Sequence, residues 1–326
     1  MELWIHHKCL ICKLVNGQSS LKWEFWPFIN NCDFKLLVRR NNMIGKIVKA
    51  ISGFYYIEFE GTIYECRAKG ILKKLNVSPM VGDNAEFEKI SEGKGNVITI
   101  LERKNALVRP PVANIDKVII VVAVKNPEPS LLFIDKQLAF LEKMNVPVTI
   151  CLNKIDIGET EKIKDIYENI GYEVILTSVK EKMGIDDLKR NIKGNTVAFV
   201  GNSGVGKSSL TNRLMDEVIM EEGNLSKIER GKQTTRHSEL LKVEEDTYII
   251  DTPGFSSFDL DNIELDELAL LFREFNKHIP SCRYRDCRHI LEEECGIRKA
   301  VEIGEISSER FENFKIIYDE ISKRRK

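Results

Sequence analysis

TVAFVGNSGVGKSSLTNRLM, residues Thr196 to Met215, fixes the reading of this chain. TVAFV is short and almost wholly apolar, as a strand covered on both faces requires. SLTNRLM continues as a helix. Between them lies Gly201-Asn202-Ser203-Gly204-Val205-Gly206-Lys207-Ser208-Ser209, which satisfies G-x-x-x-x-G-K-[ST]. A glycine-rich turn at the start of a helix lets backbone N–H groups converge on phosphate oxygens. The pattern therefore predicts a nucleotide phosphate loop. Lys207 would reach the β and γ phosphates, and the Ser208 hydroxyl would ligate Mg2+. The alternative is a fortuitous glycine turn, to which the strand–loop–helix frame gives little weight.

Upstream, the same rhythm repeats. KVIIVVAV (Lys117 to Val124), VPVTICL and YEVILT read as strands. Helical patterns follow them at about Leu131 to Met144, Thr160 to Ile170 and Ile185 to Ile192. Strands alternating with helices predict a parallel doubly wound sheet. Downstream, a polar excursion from Glu217 to His237 precedes ELLKVEEDTYIID, which reads as a hairpin split near Glu245-Asp246.

Four further pieces bear on the nucleotide. Asn153-Lys154-Ile155-Asp156 follows a buried strand, at the carboxyl edge where such sheets bind ligands. Asp156 can accept two hydrogen bonds from guanine N1–H and its exocyclic amine, a pair that adenine does not offer. Lys154 would pack over the base and Asn153 would brace the loop. Thr177-Ser178-Val179-Lys180 ends the next strand, and its backbone N–H groups could meet guanine O6. RGKQTTRH carries Thr234 and Thr235, and Thr235 is preferred as a Mg2+ ligand. Asp251-Thr-Pro-Gly254 would hold Mg2+ through water at Asp251 and sense the γ-phosphate at the Gly254 N–H. All five parts of a GTPase site are thus present, but in the order 4-5-1-2-3.

From Met43 to Lys104 five short candidate strands alternate with glycine turns, which fits a small five-stranded barrel of the OB type. Arg67, Lys69, Lys73 and Lys74 lie near Tyr55, Tyr56 and Tyr64 in sequence, a mixture suited to single-stranded nucleic acid; a solvated face over core tyrosines is the alternative. Residues 105–116 read as a linker stiffened by Pro110-Pro111. Residues 117–258 are expected as the nucleotide domain and 259–326 as a helical metal-binding domain. Residues 1–42 stand apart: they hold all three tryptophans and show no sustained period. Their end, R-R-N-N-M, is compatible with a translated purine-rich ribosome-binding sequence, so Met43 is the expected start and 1–42 a non-native upstream extension. HHKCLIC, with His6, His7, Cys9 and Cys12, is an incomplete metal half-site by comparison.

The chain is 43% hydrophobic and 30% charged with net charge −1, and no apolar run approaches a membrane span. Residues 1–42 hold six basic and three acidic side chains, so the remainder carries −4. Binding to nucleic acid would have to rest on local patches. A reducing cytoplasm suits the eight cysteines. Cys282, Cys287, His289 and Cys295 give C-x4-C-x-H-x5-C, a closed tetrahedral set for one structural Zn2+, with unpaired structural cysteines as the alternative. Arg283, Arg285, Arg288 and Arg298 surround it, and the tail ends KRRK. These concentrations are compatible with RNA phosphate or with a solvated basic face.

A β-barrel, NKID, TSVK, GNSGVGKSS, RGKQTTRH, DTPGF in permuted order, and a Cys–Cys–His–Cys set together resemble the RsgA family of circularly permuted GTPases. The resemblance covers Met43 to the C-terminus. It implies a cytoplasmic, monomeric GTP hydrolase that binds the small ribosomal subunit and its rRNA late in maturation, with slow intrinsic turnover stimulated by the subunit. Phe255 stands where other GTPases carry a water-orienting glutamine. Gln233 stands where many relatives have histidine, which leaves Gln233 or His237 as candidates for placing the attacking water. An RNA-binding regulator with GTP as a mere ligand is the competing reading.

Overall fold

The computed structural model describes residues 43–70, 72, 77–107, 110–221, 238–251, 260 and 262–324. Residues 1–42, expected as an upstream extension, lie outside the described residues, as do Lys73 and Lys74.

Five strands open the described chain: β1 (Met43–Ile51), β2 (Phe54–Phe59), β3 (Thr62–Ala68), β4 (Asn84–Ser91) and β5 (Lys94–Ile100). They pair in the order β1-β2-β3-β5-β4, and β4 returns to β1, so the barrel closes. Period-two alternation turns Ile47, Ile57, Cys66, Phe87 and Val97 inward, each without exposed surface. Of the aromatics in the expected nucleic-acid face, Tyr64 is buried and Tyr55 and Tyr56 are half-buried. Tyr64 packs its ring 5.2 Å from Phe87, and Tyr55 joins the same core. Tyr56 packs on the neighbouring nucleotide-domain core. Arg67 instead stacks over Phe54 at 4.5 Å, and Lys69 pairs with Glu88 at 2.6 Å.

The stretch expected as a linker is folded. β6 (Ala106–Leu107) and β7 (Val112–Ala113) form a short ladder. The Asn105 side chain exchanges two hydrogen bonds with the Ile115 backbone, at 2.8 and 2.9 Å. Asn114 donates to Gly82 O at 3.0 Å, tying the ladder to the barrel. Asn side chains that replace backbone partners do what proline stiffness alone would not.

The large sheet runs β10 (Glu173–Thr177), β9 (Val148–Asn153), β8 (Lys117–Ala123), β11 (Thr196–Val200), β13 (Thr247–Asp251), β12 (Glu239–Glu244). The first five are mutually parallel, and β12 is antiparallel to β13. Along β8, Val118, Ile120 and Val122 enter one core, while Ile119, Val121 and Ala123 enter the other. α1 (Leu131–Lys143) and α2 (Glu161–Glu168) cover the first face; α3 (Ile185–Ile192) and α4 (Lys207–Glu221) cover the second. The apolar run of the sequence is thus a strand buried on both sides, and the strands' carboxyl ends converge on one edge.

The C-terminal region has less regular helix than expected. Among the described residues, three 3-10 turns precede α5 (Gly296–Glu302) and α6 (Ser308–Arg324). Its core gathers Phe272, Phe275, Phe311 and Phe314, and Leu132, Ala139 and Phe140 of α1 complete it. At that seam Arg310, 1% exposed, pairs with Asp135 and with Glu274 (2.5 Å to Glu274). Tyr167 and Asn313 donate to Asp135 at 2.9 and 2.7 Å. Every polar atom of this buried cluster that is named here has a partner, the condition for such burial to be tolerated. No helix among the described residues is long and apolar enough to cross a membrane.

Candidate functional site

The N-K-I-D loop and the glycine loop, 45 residues apart in sequence, meet at one sheet edge. Asn153 ends β9 and is buried; its Nδ2 donates to Val205 O at 2.9 Å. Its Oδ1 accepts from the Thr177 hydroxyl at 3.2 Å, so one side chain links three segments. Gly206 has φ +102°, and a Cβ there would stand 2.2 Å from Asn153 Nδ2. Only glycine permits that approach.

Lys154 adopts a left-handed backbone, φ +64°, uncommon for a residue with a side chain. Its ammonium donates to Gly204 O at 2.8 Å and to Asn126 O. Asp156 lies in a 3-10 turn, Ile155–Ile157. The Ser178 hydroxyl donates to Asp156 Oδ1 at 2.7 Å, and Lys180 stands 3.9 Å from Oδ2. The Ser178 hydroxyl first, then a backbone N–H and the lysines, hold this carboxyl below the usual carboxylate range, so it is ionised at neutral pH. The Ser178 N–H itself is spent on Met183 O at 3.0 Å. Gly184 closes the turn: a Cβ there would stand 1.8 Å from Leu176 O.

In the glycine loop, Val205 is buried as a plug, and Asn202, Ser203, Gly204, Ser208 and Ser209 face solvent. Lys207 curls across its own loop and donates to Gly201 O at 2.6 Å and Asn202 O at 3.0 Å. Burial lowers its pKa from the ordinary lysine value. The Asp251 backbone ends β13 beside β11. Gln233, Thr234, Thr235, His237, Gly254 and Phe255 lie outside the described residues.

Cys282, Cys287, His289 and Cys295 bring their donor atoms within 4.8 Å of one another. His289 Nδ1 stands 3.5 Å from Cys282 Sγ and 3.4 Å from Cys295 Sγ, and the two sulfurs are 3.9 Å apart. Zn–S bonds of about 2.3 Å and Zn–N bonds of about 2.0 Å at the tetrahedral angle put donors about 3.5–3.8 Å apart, so the set fits one ion. Gly296 N–H donates to Cys282 Sγ at 3.3 Å, an outer partner for a thiolate. Burial works to raise the Glu292 carboxyl, but N–H bonds from Arg288, Ile290 and Leu291 outweigh it and keep the group lowered. Two of the surrounding arginines are engaged locally, Arg283 with Glu294 and Arg298 with the Leu291 and Glu292 carbonyls.

Sequence reasoning named the motif residues but missed the Asn126 carbonyl, the Ser178 hydroxyl on Asp156 and the Arg310 cluster. None has a local signature; each depends on a distance across the fold.

A closed barrel, a phosphate-loop domain whose N-K-I-D strand precedes its glycine loop, and a Cys3His set define a circularly permuted GTPase. The RsgA GTPase family profile matches residues 100–261, and the RsgA N-terminal domain profile matches residues 44–97. The chain is 45% identical over 301 residues to the small ribosomal subunit biogenesis GTPase RsgA of Agathobacter rectalis, covering 87% of this chain and 100% of that protein. The protein of the same name from Clostridium beijerinckii is 44% identical over 86% of this chain and 97% of its own length. The crystal structure of YjeQ from Thermotoga maritima superposes with TM-score 0.75 at 35% identity, covering 86% of this chain and 98% of that one. YloQ, described as a circularly permuted GTPase, gives 0.73 at 33% identity over 87% and 96%. This chain belongs to the RsgA GTPase family.

Proposed function

We propose that this GTPase acts in biogenesis of the small ribosomal subunit, as the names of its relatives say of those proteins. It would bind the subunit through rRNA and hydrolyse GTP in response. The observation that carries the nucleotide half is the Asn153–Val205 hydrogen bond, which joins the N-K-I-D loop to the glycine loop despite their reversed order. Asp156, ionised and braced by Ser178, is the proposed guanine reader; Asn153, Lys154, Thr177, Ser178 and Val179 frame the base. Gly201 to Ser209, with Lys207, cradle the phosphates. Ser208, Thr235 and Asp251 would hold Mg2+, which when bound offsets phosphate charge, and Thr234 and Gly254 complete the γ-phosphate side. One Zn2+ in the Cys282–Cys295 set would serve a structural role, since all four donors come from protein. Phe255 has no group to orient water, so slow turnover without the subunit follows, and Gln233 or His237 is proposed to place that water.

The proposed division is barrel 43–104, connector 105–116, nucleotide domain 117–258 and zinc domain 259–326, in a cytoplasmic monomer. The test is Asp156→Asn. A carboxylate accepts two hydrogen bonds worth about 1.5–3 kcal/mol each. The amide should therefore cost GTP affinity on the order of a hundredfold or more, and favour xanthosine triphosphate, whose 2-oxo group accepts. Unchanged selectivity in competition binding would remove Asp156 as the guanine reader.

A further inference from the structure

The two segments proposed to meet the γ-phosphate are joined by the β12–β13 hairpin. Only Ser238 separates His237 from β12, and Thr252 follows Asp251 directly. The barrel holds this hairpin. β1 pairs with β12 at a single register position, Lys49 with Glu239, the first residue of β12. Lys49 Nζ donates to both Glu239 carboxylate oxygens at 3.0 Å. Tyr248 on β13 donates to Glu58 of β2 at 3.1 Å, and Lys242 pairs with the same carboxylate. Lys46 lies 4.6 Å over the Tyr248 ring and donates to Thr196 Oγ1 at 2.9 Å. Val48 of β1 shares one core with Leu240 and Ile250 of the hairpin. Barrel and hairpin are therefore one packed unit. The C-terminal region, though it follows the DTPG segment in the chain, is fastened elsewhere, to α1 through Arg310 and Asp135.

We propose that the barrel, rather than the C-terminal region, relays subunit engagement to the γ-phosphate side, with Lys49 and Glu239 as positioning residues. The inference rests on the proposed action at the small subunit. A displacement of β1 reaches the first residue of β12 without passing through the phosphate loop. The pair is one-third exposed on each side, so its stability value is small and its effect is on placement.

The test measures full-length protein with Lys49→Glu, Glu239→Lys and both changes together. Each is assayed for GTP turnover alone, for turnover with saturating purified small ribosomal subunits, and for co-sedimentation with them. Each single change should keep unstimulated turnover and co-sedimentation but lower stimulated kcat at least fivefold. The double change should recover most of it, which a lost RNA contact would not produce, while unchanged unstimulated turnover and co-sedimentation separate placement from a merely structural role. Stimulated rates equal to the parent's in both single variants, or a double variant as slow as they are, would overturn the relay. An unstimulated parent chain would overturn the subunit reading, and the relay with it.

Discussion

Asn153, 2% exposed, uses both ends of its amide, one on the Val205 carbonyl and one on the Thr177 hydroxyl. Replacing it with alanine strands the buried Val205 carbonyl, whereas the Thr177 hydroxyl keeps the Leu152 carbonyl at 3.4 Å. That stranded group costs about 1–3 kcal/mol. Asn153→Ala should therefore lower the urea midpoint and weaken GDP binding at least tenfold, read by denaturation and by fluorescent-nucleotide titration. Normal GDP binding in the folded variant would show that the bridge does not organise the loop. The letters N-K-I-D were legible in the sequence because their chemistry is carried by residue type. The Ser178 hydroxyl on Asp156 was not, because serine bonds readily to its own neighbourhood, and Ser178 does so with the Glu181 N–H at 3.1 Å as well.

At the scale of elements, α1 is the member shared by two cores. Its apolar side packs Ile134, Leu138 and Leu141 under the sheet, while Leu132, Ala139 and Phe140 face the C-terminal phenylalanines. Asp135 sits between them, with burial raising its pKa and Arg310 opposing that rise. Removing one partner of a buried pair costs about 3–5 kcal/mol because the other charges stay buried. Arg310→Met should show a loss of that size in chemical denaturation. Combining it with Asp135→Asn and Glu274→Gln should recover part of it; no recovery would mean that packing, not charge, holds the seam. The helix itself was legible from its period. The seam was not, since Asp135, Glu274 and Arg310 are far apart in sequence and a lone aspartate on a helix reads as solvent-facing. The connector was misread for a related reason: Pro110-Pro111 signals stiffness, whereas its order comes from the Asn105 and Asn114 side chains.

The whole molecule keeps a GTPase site while the chain visits its parts in another order. Parallel strands permit this, because the site is assembled from loops at one sheet edge and not from sequence order. That principle made the nucleotide fold legible from motifs alone. The attachments of the flanking regions were not legible: chain order places the cysteine-bearing region after the DTPG segment, yet packing binds that region to α1 and the hairpin to the barrel.

GTP turnover by this protein is proposed to answer to the small ribosomal subunit. The most direct measurement is steady-state GTP hydrolysis by the purified protein, with and without purified small subunits. Turnover should be slow alone, and kcat should rise at least tenfold with subunits. Turnover that stays the same at saturating subunit would contradict it, and would favour an RNA-binding protein for which GTP is only a ligand.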